Sequence, residues 1–415
     1  MKAEVLAVGT ELLLGDIVNT NAARLGEALA SAGIDCYAHV TVGDNIERIT
    51  DAIRASLRRS DALIITGGLG PTQDDVTREA IAVVIGAALR RVPALEDRLR
   101  ARFAELGRPM PEANLRQADV PEGARVIDQT FGTAPGLIVE HQGKVIYVLP
   151  GVPVEMLDML SRAVLPDLLA RAGAPSRIVS RIVRVAGVTE SGVAEALGPV
   201  WEMLSGGVTM AFLAGRGEVR VRLTAKADDD VRCAELLDAA EARVRQTLGH
   251  AVVGVDGDTL ETVVGTLLLA RGWSVAVAES LTGGEVGSRI VSVAGAAEDF
   301  RGAVVAYATD AKASLLGVPR ELLDEHGPVS VPVARAMAAG ARRLFAADVG
   351  LATTGVAGPI EQGGPVGAVV LAVSGPLGDQ HREIRLPGDR TLIRMLASGA
   401  ALNLLRLYLL EVATR

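Results

Sequence analysis

Three residues of one short stretch, Ser280, Tyr307 and Lys312, have side chains that suit nucleophilic chemistry. A serine hydroxyl becomes a nucleophile when a neighbouring base removes its proton, and a neutral lysine amine is such a base. Only 4 of the 42 basic residues are lysines, and the rest are arginines, whose guanidinium does not deprotonate. The pattern predicts a serine nucleophile activated by Lys312, with the Tyr307 phenol relaying a proton or polarising the amine.

The elements around these residues would place them at one edge of a sheet. Residues 274–279 are typical of a buried parallel strand that ends at Ser280, and residues 302–307 predict a second strand. Lys312 would lie in the first turn of the following helix, where the helix dipole should lower its pKa. The same three residues are also compatible with an ordinary loop serine, a strand-end aromatic and a solvated lysine.

A turn rich in glycine follows the serine. Thr282, Gly283 and Gly284 would lead into a helix that starts near Glu285. Backbone N–H groups at a glycine turn and the positive end of a helix both favour anions. We therefore expect these three residues to contact a phosphate or another anionic group.

Four segments of this region resemble a known family. ESLTGG, VVAYATDAK, HGPVS at 326–330 and TTGVAGP at 353–359 are similar, in this order, to the carboxyl-terminal domain of the CinA family, whose members hydrolyse the amide of nicotinamide mononucleotide. The resemblance implies that Ser280 is the nucleophile, that Tyr307 and Lys312 activate it, and that no cofactor is needed. It also implies a nucleotide site formed by Thr282, Gly283, Gly284, Thr354, Gly355 and Gly358.

Two departures from the family pattern bear on this site. Leu281 stands where the family usually has cysteine, so a thiol is not the nucleophile here. The segment IEQGGPVG after Pro359 is short and lacks the lysine often found before Pro-Val-Gly, which weakens the expectation of phosphate contacts from that loop.

A second glycine turn lies near the amino terminus. The apolar run ALIIT precedes Gly67, Gly68 and Gly70, and Asp74 and Asp75 follow directly before a helical segment. Strand, glycine turn and helix form a phosphate-binding context. Carboxylates repel a neighbouring phosphate unless a divalent cation lies between the carboxylates and the phosphate. One of the two aspartates could instead cap the helix. The pattern favours metal-assisted phosphate chemistry.

Five further segments resemble the amino-terminal domain of CinA proteins, which is similar to molybdopterin-binding domains. They are GTELLLG, VGDN, TGGLGPTQDD, GTAPG at 132–136 and LPGVPVEM at 149–156. The resemblance implies metal-dependent cleavage of ADP-ribose, with Mg, Mn or Co held by acidic residues, Asp44 and Asp75 among them. The ligand would lie against Thr66, Gly67, Gly68 and Gly70, and a water on the metal could be the nucleophile because no side chain there is an obvious base.

Composition limits the remaining classes of function. The chain has 415 residues, a net charge of −8 and two cysteines, Cys36 and Cys233. These values argue against a general nucleic-acid binder and against a disulfide framework. No cleavable signal and no apolar run long enough for a bilayer is evident, so we expect a cytoplasmic protein.

The predicted fold class is α/β, with two three-layer α/β domains joined by a small α+β, KH-like module. The boundaries are 1–168, 169–252 and 253–415. The middle module has alternating strands but no GxxG clamp between two helices, so we expect no RNA binding. A long apolar helix over 391–413 would cover the sheet or a partner subunit, and we expect a homodimer.

The resulting hypothesis is a bifunctional hydrolase of pyridine-nucleotide salvage. It would convert nicotinamide mononucleotide to nicotinic acid mononucleotide and ammonia, and it would act as an ADP-ribose pyrophosphatase. The rival hypothesis is a non-enzymatic interaction protein of natural competence or DNA repair that acts with a recombinase, as the family's name implies.

Overall fold

The computed structural model describes residues 1–105, 107–173, 177–204, 207–215, 217–361 and 363–412. The chain divides into two compact units, Met1–Val179 with Ala225–Glu235, and Ser180–Thr224 with Leu236–Arg415. The middle segment, predicted as a module of its own, thus contributes to both units.

The amino-terminal domain is built on a mixed sheet in the order β2-β1-β3-β8-β7-β6, with β4 and β5 forming a separate antiparallel pair. Strands β1, β2, β3 and β8 are parallel to one another, β7 is antiparallel to β8, and β6 is antiparallel to β7. The strands are β1 Lys2–Val8, β2 Asp35–Val42, β3 Ala62–Thr66, β4 Leu89–Arg91, β5 Asp119–Pro121, β6 Arg125–Ile127, β7 Gly136–His141 and β8 Lys144–Leu149.

Helices cover both faces of this sheet. They are α1 Thr10–Leu14, α2 Thr20–Ser31, α3 Ile46–Arg59, α4 Thr77–Ile85, α5 Pro93–Glu105, α6 Pro153–Met159 and α7 Leu165–Ala172, with a 3₁₀ turn at Glu112–Ala118 and a π-helical turn at Leu160–Val164. Leu25, Leu29 and Met156 pack in one core, and Ile53 and Ile81 pack in a second core on the other face. All residues of β3 are buried because a central parallel strand is covered on both sides. The domain therefore has the predicted three layers.

The middle segment forms a four-stranded sheet in the order β10-β11-β9-β12. Its elements are β9 Arg177–Ala186, α8 Glu190–Met203, β10 Val208–Gly215, β11 Glu218–Ala227, α9 Asp230–Leu248, a 3₁₀ turn at Gly249–Ala251 and β12 Val252–Val255. In β11 the side chains of Val219, Val221 and Leu223 are buried while their neighbours are less so, as the predicted alternation requires.

The carboxyl-terminal domain has a sheet in the order β14-β13-β15-β16-β17. The first three strands of this order are parallel, β16 is antiparallel to β15, and β17 is antiparallel to β16. Its elements are α10 Leu260–Arg271, β13 Val275–Glu279, α11 Glu285–Val291, a 3₁₀ turn at Ala296–Glu298, β14 Phe300–Val305, α12 Thr309–Leu316, α13 Arg320–His326, α14 Val331–Leu344, β15 Val349–Gly355, β16 Ala368–Gly375, β17 Gly378–Arg385 and α15 Arg390–Leu409. Val264 and Leu402 belong to the core on one face, and Met337 to the core on the other. This domain is also three-layered, so the α/β prediction is confirmed.

The last helix takes the first of its two predicted roles, because it covers the sheet of its own domain. By length and composition α15 could cross a membrane, but 67% of its apolar window is buried inside the domain. Ala397, Leu402 and Leu405 are fully buried in the core. The apolar surface of this helix is therefore used within the chain, and it no longer supports the expected homodimer, which stays a prediction.

A buried arginine fixes the end of the middle segment to this helix. Arg406 is 1% exposed, and its guanidinium donates to the carbonyl oxygens of Val252 and His250 and to the side chain of Asn403. Burial lowers the pKa of Arg406 from its usual value. The hydrogen bonds compensate the cost of removing this charge from water.

Candidate functional site

Ser280 and Lys312 meet at the carboxyl ends of adjacent parallel strands. β13 ends at Glu279, immediately before Ser280, and pairs with β14, whose chain continues through Ala306 into α12. The Lys312 ammonium nitrogen lies 2.9 Å from the Ser280 hydroxyl oxygen and 2.9 Å from the Ala306 carbonyl oxygen. The strand-end argument from the sequence thus places the predicted nucleophile and base within hydrogen-bonding distance.

Lys312 is held in an environment that favours its neutral form. Its side chain is 1% exposed. Burial lowers its pKa from 10.5 to about 8, and no charged neighbour contributes to this shift. The direction agrees with the prediction, and loss of water is a cause of the shift that the sequence argument did not include. The helix α12 begins after Ala308 without a side-chain cap.

A cavity of about 480 Å³ opens beside this pair. Thr354, Gly355 and Gly358, all predicted to surround the nucleotide, line it, as do Leu281 and Tyr307. The buried Thr354 hydroxyl donates to the Pro328 carbonyl oxygen at 2.7 Å, which fixes the HGPVS segment at the cavity wall. The remaining lining residues include Thr309, Val329, Val356, Ala357, Pro359, Ile360, Gly363 and Arg390.

Tyr307 lies in the cavity but has a partner other than the predicted one. Its side chain is 56% exposed, and the phenol oxygen accepts a hydrogen bond from Arg390 at 2.6 Å. The described structure gives it no hydrogen bond to Lys312 or Ser280. The other terminal nitrogen of the Arg390 guanidinium donates to the Gly358 carbonyl oxygen at 2.7 Å. Tyr307 therefore belongs to the cavity wall, on the side of Arg390.

Sequence reasoning missed Arg390. It is the first residue of α15, after the N-cap Asp389, whose carboxylate accepts from the Leu392 N–H. A cation in the first turn of a helix is electrostatically unfavourable, which is the signal that drew attention to Lys312. The same signal would have identified Arg390.

The turn after Ser280 does not form the expected anion site. Thr282, Gly283 and Gly284 are absent from the cavity lining. The fully buried Thr282 hydroxyl shares a hydrogen bond of 2.7 Å with Thr353, and the Gly283 N–H donates to the Ser280 carbonyl oxygen. The Gly284 N–H donates to the carboxylate of Glu279, so an anion from the chain itself already lies at the helix start.

The amino-terminal glycine turn lines a second cavity, of about 410 Å³. Gly67, Gly68 and Gly70 form part of its wall. At Gly68, φ is 67° and a Cβ would lie 2.1 Å from the Thr77 hydroxyl oxygen, so only glycine fits there. Thr66 does not reach the cavity, because it is buried and donates to the Pro150 carbonyl oxygen.

The three predicted metal ligands line this cavity but differ in their roles. Asp75 holds the turn, since its oxygens accept from the N–H groups of Gly70 and Thr72 and from the Thr72 hydroxyl. Asp44 accepts both bonds from Thr10 on Oδ2. Asp74 is exposed, and a hydrogen bond with the Thr72 side chain lowers its pKa. Neither Asp74 nor Asp75 caps α4, which begins after Val76.

A divalent cation fits this donor set only in part. In the described part of the chain, no three His, Cys, Asp or Glu side chains are close enough to hold a metal ion between them. Asp75 is committed to the turn, which leaves Asp74, the Oδ1 atom of Asp44 and two further carboxylates of the cavity wall, Glu11 and Glu155, as oxygen ligands. Mg²⁺ is commonly bound by one or two carboxylates together with substrate phosphates. The cavity suits a cation that arrives with a phosphate ligand.

Two arginines support the turn rather than the ligand. Arg78 is 2% exposed and donates to the Leu69 and Gly70 carbonyl oxygens at 2.8 and 2.9 Å. Arg116 donates to the carbonyl oxygens of Thr72 and Asp75. Both side chains are therefore engaged by the backbone of the turn.

Fold and site together define a protein of two α/β domains, one with a glycine-turn cavity and one with a serine–lysine contact at the edge of its sheet. Family models match residues 4–170 as "Probable molybdopterin binding domain", 180–254 as "Damage-inducible protein CinA KH domain" and 257–409 as "CinA C-terminal domain". The chain belongs to the CinA family.

Full-length relatives agree with this assignment. The chain is 50% identical to a CinA-like protein of Frankia casuarinae, over 98% of this chain and 96% of the relative. It is 44% identical to a protein of Moorella thermoacetica named as competence-damage inducible, over 98% of both chains. Among solved structures, CinA of Thermoplasma acidophilum is 37% identical over 40% of this chain and 97% of its own, with a TM-score of 0.38.

Proposed function

We propose that the carboxyl-terminal domain deamidates nicotinamide mononucleotide to nicotinic acid mononucleotide and ammonia. The observation that carries the proposal is the 2.9 Å contact between the Lys312 nitrogen and the Ser280 hydroxyl oxygen at the edge of a cavity. A lysine with a pKa of about 8 has a substantial neutral fraction near physiological pH. It is therefore suited to remove the serine proton.

The reaction then proceeds through an acyl-enzyme. Lys312 accepts the hydroxyl proton while Ser280 Oγ attacks the carboxamide carbon, and the carbonyl oxygen becomes an oxyanion. Collapse of this intermediate breaks the carbon–nitrogen bond as Lys312 returns the proton, which releases ammonia. Water, deprotonated by Lys312, then cleaves the ester to give the carboxylate and restores Ser280.

The backbone N–H of Leu281 is suited to the oxyanion. Leu281 follows the nucleophile and lines the cavity, whereas the N–H groups of Ser280, Gly283 and Gly284 already donate to Thr353, Ser280 and Glu279. A donor beside the nucleophile stabilises the negative charge as it develops.

Arg390 is suited to the phosphate of the nucleotide. Among the described residues it is the cation of the cavity lining other than Lys312, and Gly358 and Tyr307 hold its guanidinium. Arginine is effective at phosphate recognition because its donors form a planar fork. With the phosphate at Arg390, the carboxamide end would be free to reach Ser280.

Ammonia release tests the proposal directly. The purified full-length protein is incubated with nicotinamide mononucleotide, and ammonia and nicotinic acid mononucleotide are quantified. Turnover that disappears in Ser280→Ala, with unchanged thermal melting, supports the amidase. Absence of turnover in the wild type would favour the rival role, a non-enzymatic partner of a recombinase in competence or DNA repair.

A second activity, hydrolysis of ADP-ribose, is proposed for the amino-terminal domain. The supporting observation is the glycine-turn cavity with Asp44 and Asp74 among its lining residues. A divalent cation held there would neutralise the diphosphate and activate water. Release of AMP with Mg²⁺, Mn²⁺ or Co²⁺, and its loss with a chelator, is the test. We further propose that the protein acts in the cytoplasm as a homodimer.

A further inference from the structure

Glu279 is an unusual residue to find immediately before a nucleophile. Its carboxylate is 0% exposed at the end of the central strand β13. Oε2 accepts from the N–H groups of Gly284 and Val286 at 2.9 and 3.1 Å, and Oε1 accepts from the N–H of Gly287 at 2.8 Å. In the described part of the chain, all hydrogen bonds to this carboxylate thus come from backbone N–H groups.

These three N–H groups lie at the amino-terminal end of α11. The first N–H groups of a helix have no partner within it, and the helix dipole favours a negative charge there. Such positions bind external anions in many proteins. Here Glu279 supplies the anion internally, and a buried carboxylate is otherwise costly unless it is well hydrogen-bonded.

The carboxylate closes a ring of contacts around the nucleophile. Along the chain, Ser280 lies between Glu279 and the residues whose N–H groups donate hydrogen bonds to the Glu279 carboxylate. The Ser280 N–H donates to the Thr353 carbonyl oxygen at 3.0 Å, and the Gly283 N–H donates to the Ser280 carbonyl oxygen at 3.1 Å. With both ends of the turn fixed, the backbone at Ser280 has little freedom to move away from Lys312.

We propose that Glu279 is a positioning residue that fixes the Ser280 hydroxyl against Lys312 by binding the start of α11. The proposal rests on the serine–lysine mechanism but does not depend on the identity of the substrate. Catalytic groups must be held closely in place, and a displacement of about 1 Å can cost about 100-fold in rate.

The test uses Glu279→Gln. Glutamine keeps the size of the side chain but replaces one carboxylate oxygen by an NH2 group, which cannot accept a hydrogen bond from a backbone N–H. The matched control is Glu285→Gln on α11, whose carboxylate accepts from the Ser398 hydroxyl instead. The full-length proteins react with a small sulfonyl fluoride, and adduct formation at Ser280 is followed by mass spectrometry across pH. Turnover of nicotinamide mononucleotide is measured in parallel.

We expect the limiting rate of Ser280 labelling and kcat to fall about 10- to 100-fold in Glu279→Gln. The KM and the pH midpoint should not change, because Arg390 and Lys312 are untouched, and Glu285→Gln should resemble the wild type. Loss of stability alone would lower the melting temperature without changing the labelling rate of folded protein. Labelling of Glu279→Gln at the wild-type rate would overturn the proposal.

Two further outcomes separate this inference from the proposed function. If the sulfonyl fluoride modifies Ser280 of the wild type but no ammonia is released, the amidase proposal is contradicted. The positioning role is still supported in that case if Ser280 of Glu279→Gln is modified slowly. If Glu279→Gln does not fold, hydrogen exchange of the wild-type segment 281–288 decides. Strong protection of the Gly284 N–H supports the role, and exchange at the rate of an open loop overturns it.

Discussion

Replacing Lys312 by arginine separates a base from a structural cation. The lysine has a pKa of about 8, so about one molecule in ten carries the neutral amine at pH 7. A guanidinium with a pKa above ~12 is neutral in fewer than ~1 molecule in 100,000. The available base thus falls by about four orders of magnitude, and we expect deamidation to fall by about two to four orders, the usual worth of a positioned base.

Steady-state release of ammonia measures this effect. Lys226→Arg is the matched control, since Lys226 is exposed and forms an ion pair with Asp35 at 2.6 Å. In the wild type, kcat/KM should rise about tenfold per pH unit below pH 8 and level off above it, because the active form is the deprotonated amine. Ser280→Ala should be as inactive as Lys312→Arg, and the double variant hardly worse. Near-normal turnover by a folded Lys312→Arg protein would refute the serine–lysine mechanism.

Three other outcomes are expected. Asp74→Asn should abolish ADP-ribose cleavage but leave the melting temperature and deamidation unchanged, because Asp74 is exposed. Asp75→Asn should also lower the melting temperature, because three hydrogen bonds of the turn depend on its carboxylate. AMP release and thermal melts check both variants, and full activity of Asp74→Asn would exclude Asp74 as a ligand. Arg390→Gln should raise KM for nicotinamide mononucleotide about 10- to 100-fold, because this is the effect of losing a charge-assisted hydrogen bond to a phosphate. The change in kcat should be smaller. An unchanged KM would show that the phosphate binds elsewhere. Light scattering at micromolar concentration should give twice the chain mass of 43.0 kDa, and a monomer mass would reject the homodimer.

The contact between Ser280 and Lys312 was predictable because it depends on local order along the chain. Apolar runs fix where strands end, and the carboxyl ends of neighbouring parallel strands share an edge. Ser280 and Lys312 therefore meet as predicted, and the three-layer domains follow from the same alternation of strands and helices.

Other features depend on contacts that the order of residues does not reveal. The Thr282–Gly284 turn has the composition of an anion site, but which anion fills a helix start depends on side-chain direction, and Glu279 fills this one. Arg390 lies 83 residues from Tyr307, so no local pattern joins them. Asp74 and Asp75 are adjacent and chemically alike, yet only the folded turn shows that Asp75 is used as a hydrogen-bond acceptor for the backbone.

The buried guanidinium of Arg406 limits how the carboxyl-terminal domain can be isolated. Its carbonyl partners belong to Val252 and His250, which lie upstream of the matched family segment 257–409. A fragment that starts at residue 257 would leave Arg406 with Asn403 as its remaining partner, and a buried donor that loses its acceptor costs about 1–3 kcal/mol, more when the donor is charged. A separately expressed domain should therefore begin before His250 if its core helix is to keep its native packing.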